Sequence, residues 1–344
     1  MKRGGWLVRG AIVLVVAAAI GLVMLVQPLQ EPPPPTLTPT RTLFVRPVTP
    51  IPTATFTPSP TLPPTSTPTP TSTPPPTPTP TPTLTPTPTC VEADKLHPTT
   101  GRMAQRSYFS QTAGDEQSYR IYLPPCYDQT DRRYPVLYLL HGWPFDEAHW
   151  DNLGVDEAAD AGIAARTLPP FIIVLPGGTE RLYVNTSGGD HSFEGQMIND
   201  LIPHVDETYR TQKERAGRAI GGISRGGVWA LEIGFMHPDL FAIVGAHSPA
   251  LSVNLAPPPY DPFYLLAEPG VAMLRIYLDA GDADWAQKST QALHEALDRQ
   301  GIGHEYVVHT GRHENKLWEE NTARYLAFYT ATWLQDDEEA DQNP

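Results

Sequence analysis

The chain has 344 residues, 40 of them proline, with 40% hydrophobic residues and a formal net charge of -14 at pH 7. The acidic balance, with no basic stripe anywhere in the sequence, argues against a nucleic-acid partner. With two cysteines and no cysteine-histidine cluster, and with "HEALD" and "HENKL" each lacking the second histidine of H-E-x-x-H, no metal and no cofactor are expected.

In chain order, Lys2, Arg3 and Arg9 precede an uncharged apolar run from Gly10 to Val26. As a helix that run spans about 26 Å, just short of a hydrocarbon core of about 30 Å. It suits a short membrane anchor or the apolar region of a signal peptide. The following "VQPLQE" offers no small-residue cut site, which favours an uncleaved anchor with its basic flank inside and the rest of the chain outside.

Residues 31–89 are almost wholly Pro, Thr and Ser. Such a segment has nothing to bury and cannot repay its ordering entropy, so it reads as an extended, disordered stalk. The expected organisation is residues 1–30 as flank and anchor or signal peptide, 31–89 as linker, and 90–344 as one folded domain. An outward location also favours a disulfide between Cys90 and Cys126, worth roughly 3 to 4 kcal/mol in the chain-entropy model.

Beyond residue 118, "YRIYLP", "YPVLYLLHG", "FIIVLPGG", "RAIGGIS", "FAIVGAHS", "LRIYLDAGD" and "HEYVVHTG" read as strands. Several are apolar enough to be buried on both faces. Between them "EGQMINDLIPHVDETYR", "VWALEIGFMH", "WAQKSTQALHEALDRQ" and "ENKLWEENTARYLAFYTATWLQ" carry helical spacing. This alternation predicts an α/β fold: a mostly parallel central sheet with helices on both faces, its ligand site at the carboxyl ends of the strands.

At one such end stands Gly222-Ile223-Ser224-Arg225-Gly226, the G-x-S-x-G pattern of a nucleophile elbow. One match is a weak signal alone. A strand before it, a helix after it and glycines at 221, 222, 226 and 227 supply the context it needs. A serine nucleophile requires a base, and the base an orienting carboxylate, in the order Ser, Asp or Glu, His. Six histidines follow Ser224. His237 and His294 fall in helical runs, and His304 and His309 in a strand. His247, ending a strand, is a candidate lining residue. His313 falls in the loop after the last strand, where a base can reach the elbow. Of Asp279, Asp282 and Asp284, Asp284 is preferred and Asp282 is the fallback; Asp279 reads as a structural carboxylate still within the strand. The oxyanion donors expected are the backbone N–H groups of Arg225 and of Trp143, after His141 and Gly142. Trp143, Tyr183, Asn185 and Trp285 are candidate substrate contacts.

Five segments in order, "YPVLYLLHGWPFDEAHW", "FEGQMINDLIPHVDETYRT", "GGISRGG", "AGDADW" and "GRHENKLWEENTARYLAFY", resemble the esterase group of α/β-hydrolases. That group holds feruloyl and acetyl-xylan esterases, S-formylglutathione hydrolase, siderophore esterases and mycolyltransferases. The likeness runs from about Tyr119 to Trp333. It implies an α/β-hydrolase fold and a serine carboxylesterase, with Ser224 as nucleophile, His313 as base, Asp284 as orienting acid, and Trp143 and Arg225 at the oxyanion hole. Trp143 stands where such enzymes usually carry a smaller residue. The expected partners are an ester substrate, the membrane through the N-terminal anchor, and cell-wall or polysaccharide material. Two rivals are an acyltransferase handing the acyl group to a sugar or lipid alcohol, and a non-catalytic display domain that binds wall polysaccharide.

Overall fold

The computed structural model describes residues 100–342. The expected anchor, the stalk and Cys90 lie outside the described residues. Among those described, no helix is long and apolar enough to cross a membrane. Cys126 is buried.

Eight strands form one sheet in the order β1-β2-β4-β3-β5-β6-β7-β8. They are β1 Arg102–Ser110, β2 Asp115–Leu123, β3 Val136–Leu140, β4 Ile172–Pro176, β5 Arg218–Ile223, β6 Ile243–His247, β7 Arg275–Gly281 and β8 His304–His309. From β4 through β8 every pairing is parallel, while β2 pairs antiparallel with both β1 and β4. The mostly parallel sheet read from the sequence is therefore present, with an antiparallel ribbon along one edge. β1 was not among the expected strands. Its Arg102, Gln105 and Arg106 face out, as suits an edge strand that must resist further pairing, and they hide the apolar alternation.

The longer helices are α1 Val155–Ala164, α2 Ile202–Thr208, α3 Arg225–Met236, α4 Gln287–Gln300 and α5 Asn315–Gln342. The expected helix at "EGQMINDLIPHVDETYR" opens as one turn at Phe193–Gly195 and widens into a π turn at Gln196–Leu201 before α2. Two cores lie on opposite faces of the sheet. Leu201, Val205, Val228, Leu231 and Leu293 bring α2, α3 and α4 to one face, and Val155, Ala159, Leu326 and Tyr329 bring α1 and α5 to the other. β3 shows why its apolar run is continuous: Val136, Tyr138 and Leu140 point into the first core, Leu137 and Leu139 into the second.

Candidate active site

β5 delivers Ser224 to the carboxyl edge of the sheet, and α3 begins at the next residue. The serine is held at φ 54° and ψ -113°, where a side chain costs about 1 to 3 kcal/mol of backbone strain. Backbone bonds fix it there: its N–H donates to the His247 carbonyl at 2.8 Å, and its carbonyl accepts from Ala250 at 3.0 Å and Val228 at 3.2 Å. The glycines of the motif have a steric cause. A side chain at Gly222 would strike the backbone of Gly226, and one at Gly226 would strike the carbonyls of Leu140 and His141.

His313 Nε2 lies 2.8 Å from Ser224 Oγ, and its Nδ1 lies 2.9 Å from Asp284 Oδ1. The Asp284 carboxylate is fully buried and also accepts the Ala286 N–H at 2.7 Å. Ser224, His313 and Asp284 thus form one connected hydrogen-bonded relay. Asp282 plays another part, accepting the Gly311 N–H at 3.0 Å and so tying the turn after β7 to the loop that carries His313.

The expected oxyanion loop stands beside the serine. A Cβ placed on Gly142 would lie 3.6 Å from the Ser224 Cβ. Arg225 is the first residue of α3, so its N–H has no acceptor within the helix and is available to an oxyanion. Behind the loop, the Tyr183 hydroxyl donates to the His141 carbonyl at 2.6 Å and the Trp150 indole to the Leu140 carbonyl at 3.0 Å. The His141 ring stacks on Tyr183 with centroids 4.0 Å apart, and burial lowers its pKa to about 4.

An open pocket of about 360 Å³ is lined by Gly142, Trp143, Phe145, Ser224, His313, Glu314, Asn315 and Trp318. Trp143, a candidate substrate contact, is among the residues that line it. Trp285 is half-exposed at the rim, its ring centroid 4.3 Å from that of His313. Asn185 is exposed and its side chain accepts the Ser187 N–H at 3.2 Å; it is not among the pocket-lining residues. Tyr183 is a correction: it is wholly buried behind the oxyanion loop, because its hydroxyl is used by the His141 carbonyl. His247 is a second correction. It is fully buried, with Nδ1 3.2 Å from Asp279 Oδ1 and Nε2 3.0 Å from the Tyr329 hydroxyl, and it lines no part of the pocket.

Asp279 lies within β7, as expected, but its carboxylate is buried between two histidine side chains, His247 and His309, and not bonded to nearby backbone. Burial alone would raise its pKa, but His247 and His309 on its two sides outweigh that and hold it below the usual carboxylate range. Phe145, Asn315 and Trp318 carried no expected role, although they neighbour Trp143 and His313 in sequence. Contiguity with those residues was the available signal. On α3, two turns beyond the serine, Glu232 is fully buried beside Glu194, and burial followed by the Glu194 charge pushes its carboxyl up to about 10.

Among proteins of known sequence, an endo-1,4-beta-xylanase/feruloyl esterase of Xylanibacter ruminicola is 30% identical over 225 residues, covering 60% of this chain and 30% of that protein. An esterase of Mycobacterium tuberculosis is 35% identical over 140 residues, covering 39% of this chain and 29% of the other. The chain thus spans less than a third of either relative. Among solved structures, a ferulic acid esterase superposes with a TM-score of 0.62 at 24% identity, covering 67% of this chain and 98% of that one. This likeness shows the α/β-hydrolase fold. A family model described as "Putative esterase" matches residues 110–329, a stretch that contains Ser224, Asp284 and His313. The chain belongs to that esterase family.

Proposed function

We propose that the chain is a serine carboxylesterase working through an acyl-enzyme. The observation that carries this reading is the unbroken relay from Ser224 Oγ through His313 to Asp284. In the acylation step His313 Nε2 takes the Ser224 proton as Oγ attacks the ester carbonyl carbon. Asp284 keeps Nδ1 protonated and stabilises the imidazolium that forms. The N–H groups of Arg225 and Trp143 receive the oxyanion. His313 then gives the proton to the departing alcohol oxygen. Water, deprotonated by the same ring, attacks the acyl carbon, and Ser224 leaves with its proton restored.

The walls favour a flat acyl group. Trp143, Phe145 and Trp318 enclose the space in front of Ser224, with Trp285 at the rim, and aromatic faces suit a planar, partly polar ligand. A feruloyl-type or other small aromatic ester fits that chemistry, in keeping with the feruloyl esterase relative. The sequence of residues 1–89 supports a location outside the membrane, on a proline- and threonine-rich stalk, with Cys90 and Cys126 bridged.

The test is hydrolysis of p-nitrophenyl acetate and methyl ferulate by residues 90–344, with and without Ser224→Ala. Activity lost in the variant is the expected result. A folded domain inert on both esters and resistant to a fluorophosphonate would overturn the reading. Transfer to an added alcohol in place of water would reassign the enzyme as an acyltransferase.

A further inference from the structure

His149 opens a single turn, His149–Asn152, and is 1% exposed. Its surroundings assign its hydrogens. The Gly142 N–H donates to Nδ1 at 3.1 Å, so Nδ1 offers a lone pair and the ring is neutral. The proton must then sit on Nε2, which faces Asn315 Oδ1 at 3.1 Å and donates to it. Burial favours the same state by lowering the pKa, with the Asn315 bond and the Asp146 charge opposing it.

Both partners belong to the catalytic apparatus. Gly142 immediately precedes Trp143 in the oxyanion loop, and Asn315 starts α5 two residues after His313. Both line the pocket. Ring contacts reinforce the link. Phe145 stacks on His149 at 4.0 Å and 9°, Trp318 meets it edge-on at 5.9 Å, and Trp318 also meets His313 edge-on at 5.1 Å. A Cβ on Gly142 would lie 3.4 Å from His149 Cε1 on one side and 3.6 Å from Ser224 Cβ on the other.

We infer that His149 is a positioning residue that braces the oxyanion loop against the segment carrying the base, fixing the Gly142–Trp143 backbone through Nδ1 and Asn315 through Nε2–H. The inference rests on the esterase reading. It gives a role to a histidine that touches no reacting atom. Its neutral tautomer presents an acceptor to one loop and a donor to the other, which neither a lysine nor an aromatic residue can do in that space.

Three variants separate the contributions. His149→Phe keeps the stacked ring and removes both polar bonds, His149→Asn keeps an acceptor near the Nδ1 position, and Asn315→Ala removes only the outer bond at an exposed residue. Small displacements of catalytic groups are worth up to about 100-fold, so His149→Phe is expected to lower kcat by about 10- to 100-fold with KM within about 3-fold of the parent. A trifluoromethyl ketone, which forms a tetrahedral adduct on the serine, should lose affinity in parallel with kcat/KM. His149→Asn should recover most of the loss. Full activity in a folded His149→Phe, or equal damage in His149→Asn, overturns the inference. If His149→Phe does not fold, Asn315→Ala decides: an unchanged kcat overturns the bracing role, and a reduced kcat at unchanged KM supports it. Parent and Ser224→Ala controls keep the two readings apart. An inert parent overturns the esterase reading, whereas an active parent, a dead Ser224→Ala and an unimpaired His149→Phe overturn this inference alone.

Discussion

Asp284 and His313 face each other at 2.9 Å, Oδ1 to Nδ1, and the same carboxylate oxygen takes the Ala286 N–H at 2.7 Å. Asp284 is therefore fixed by its own turn as well as by its bond to His313. Asp284→Asn removes the charge that stabilises the imidazolium and allows the wrong tautomer. It should lower kcat by about 10³- to 10⁴-fold with the fold intact. Asp282→Asn, at an exposed residue that accepts the Gly311 N–H and so anchors the loop carrying His313 without touching that ring, should cost no more than about 100-fold, the scale of a 1 Å misplacement. Steady-state kinetics of both variants check the assignment, and a reversed order would move the acid to Asp282.

The clustering of Ser224, Asp284 and His313 was legible in the sequence because each sits just past a strand end, where the chain must turn and the apolar run stops. Ser224 follows "RAIGGI", Asp284 follows "LRIYLDAG", and His313 follows "HEYVVH". What periodicity cannot reveal is direction within a loop. Tyr183 lies in a polar-looking segment, yet the turn Glu180–Tyr183 aims it inward to the His141 carbonyl. His247 ends a strand on the active-site side, yet its pleat position points it at Asp279 and Tyr329. His149 in "DEAHW" gave no signal at all, because its meaning depends on Asn315, distant in sequence.

Tyr183→Phe tests the corrected role of that residue. Losing the 2.6 Å bond leaves a buried carbonyl acceptor at His141 short of a donor, which costs about 1 to 3 kcal/mol of stability. The loop bearing Gly142 and Trp143 should loosen, lowering kcat with little change in KM. A melting curve and a kinetic split read both effects. A large KM rise at unchanged kcat would restore Tyr183 to the substrate wall.

The absence of side chains at Gly221 and Gly245, paired neighbours on β5 and β6, makes room for the Tyr329 hydroxyl of α5, which a Cβ at either position would overlap. Gly221→Ala should therefore destabilise the domain by about 1 to 3 kcal/mol, as overpacking of a close-packed core does. Adding Tyr329→Phe removes the clashing oxygen and should return part of that loss, although it leaves His247 Nε2 without its partner. Denaturant titrations of the two single variants and the double variant give the coupling. Strict additivity would show that the hydroxyl is not what excludes the methyl.

Glu232 makes stability fall as pH rises. Its carboxyl, ordinarily near 4.5, is pushed up to about 10 in the fold by burial first and then by the Glu194 charge, with the Gly188 backbone opposing and Asp261 adding to the rise. Glu194 is itself engaged, accepting from Gly189 and facing His237 Nε2 at 2.6 Å. Below the unfolded value both states hold the proton, and the stabilising contribution is complete. Between that value and about 10 only the folded state holds it, so stability declines with pH by up to about 1.4 kcal/mol per unit from this group alone. Glu232→Gln keeps the shape without a proton to lose. The variant should therefore gain on the parent steadily from about pH 5 to pH 9, and melting temperatures across that range measure the divergence. Parallel curves would mean that the Glu232 pKa is not raised.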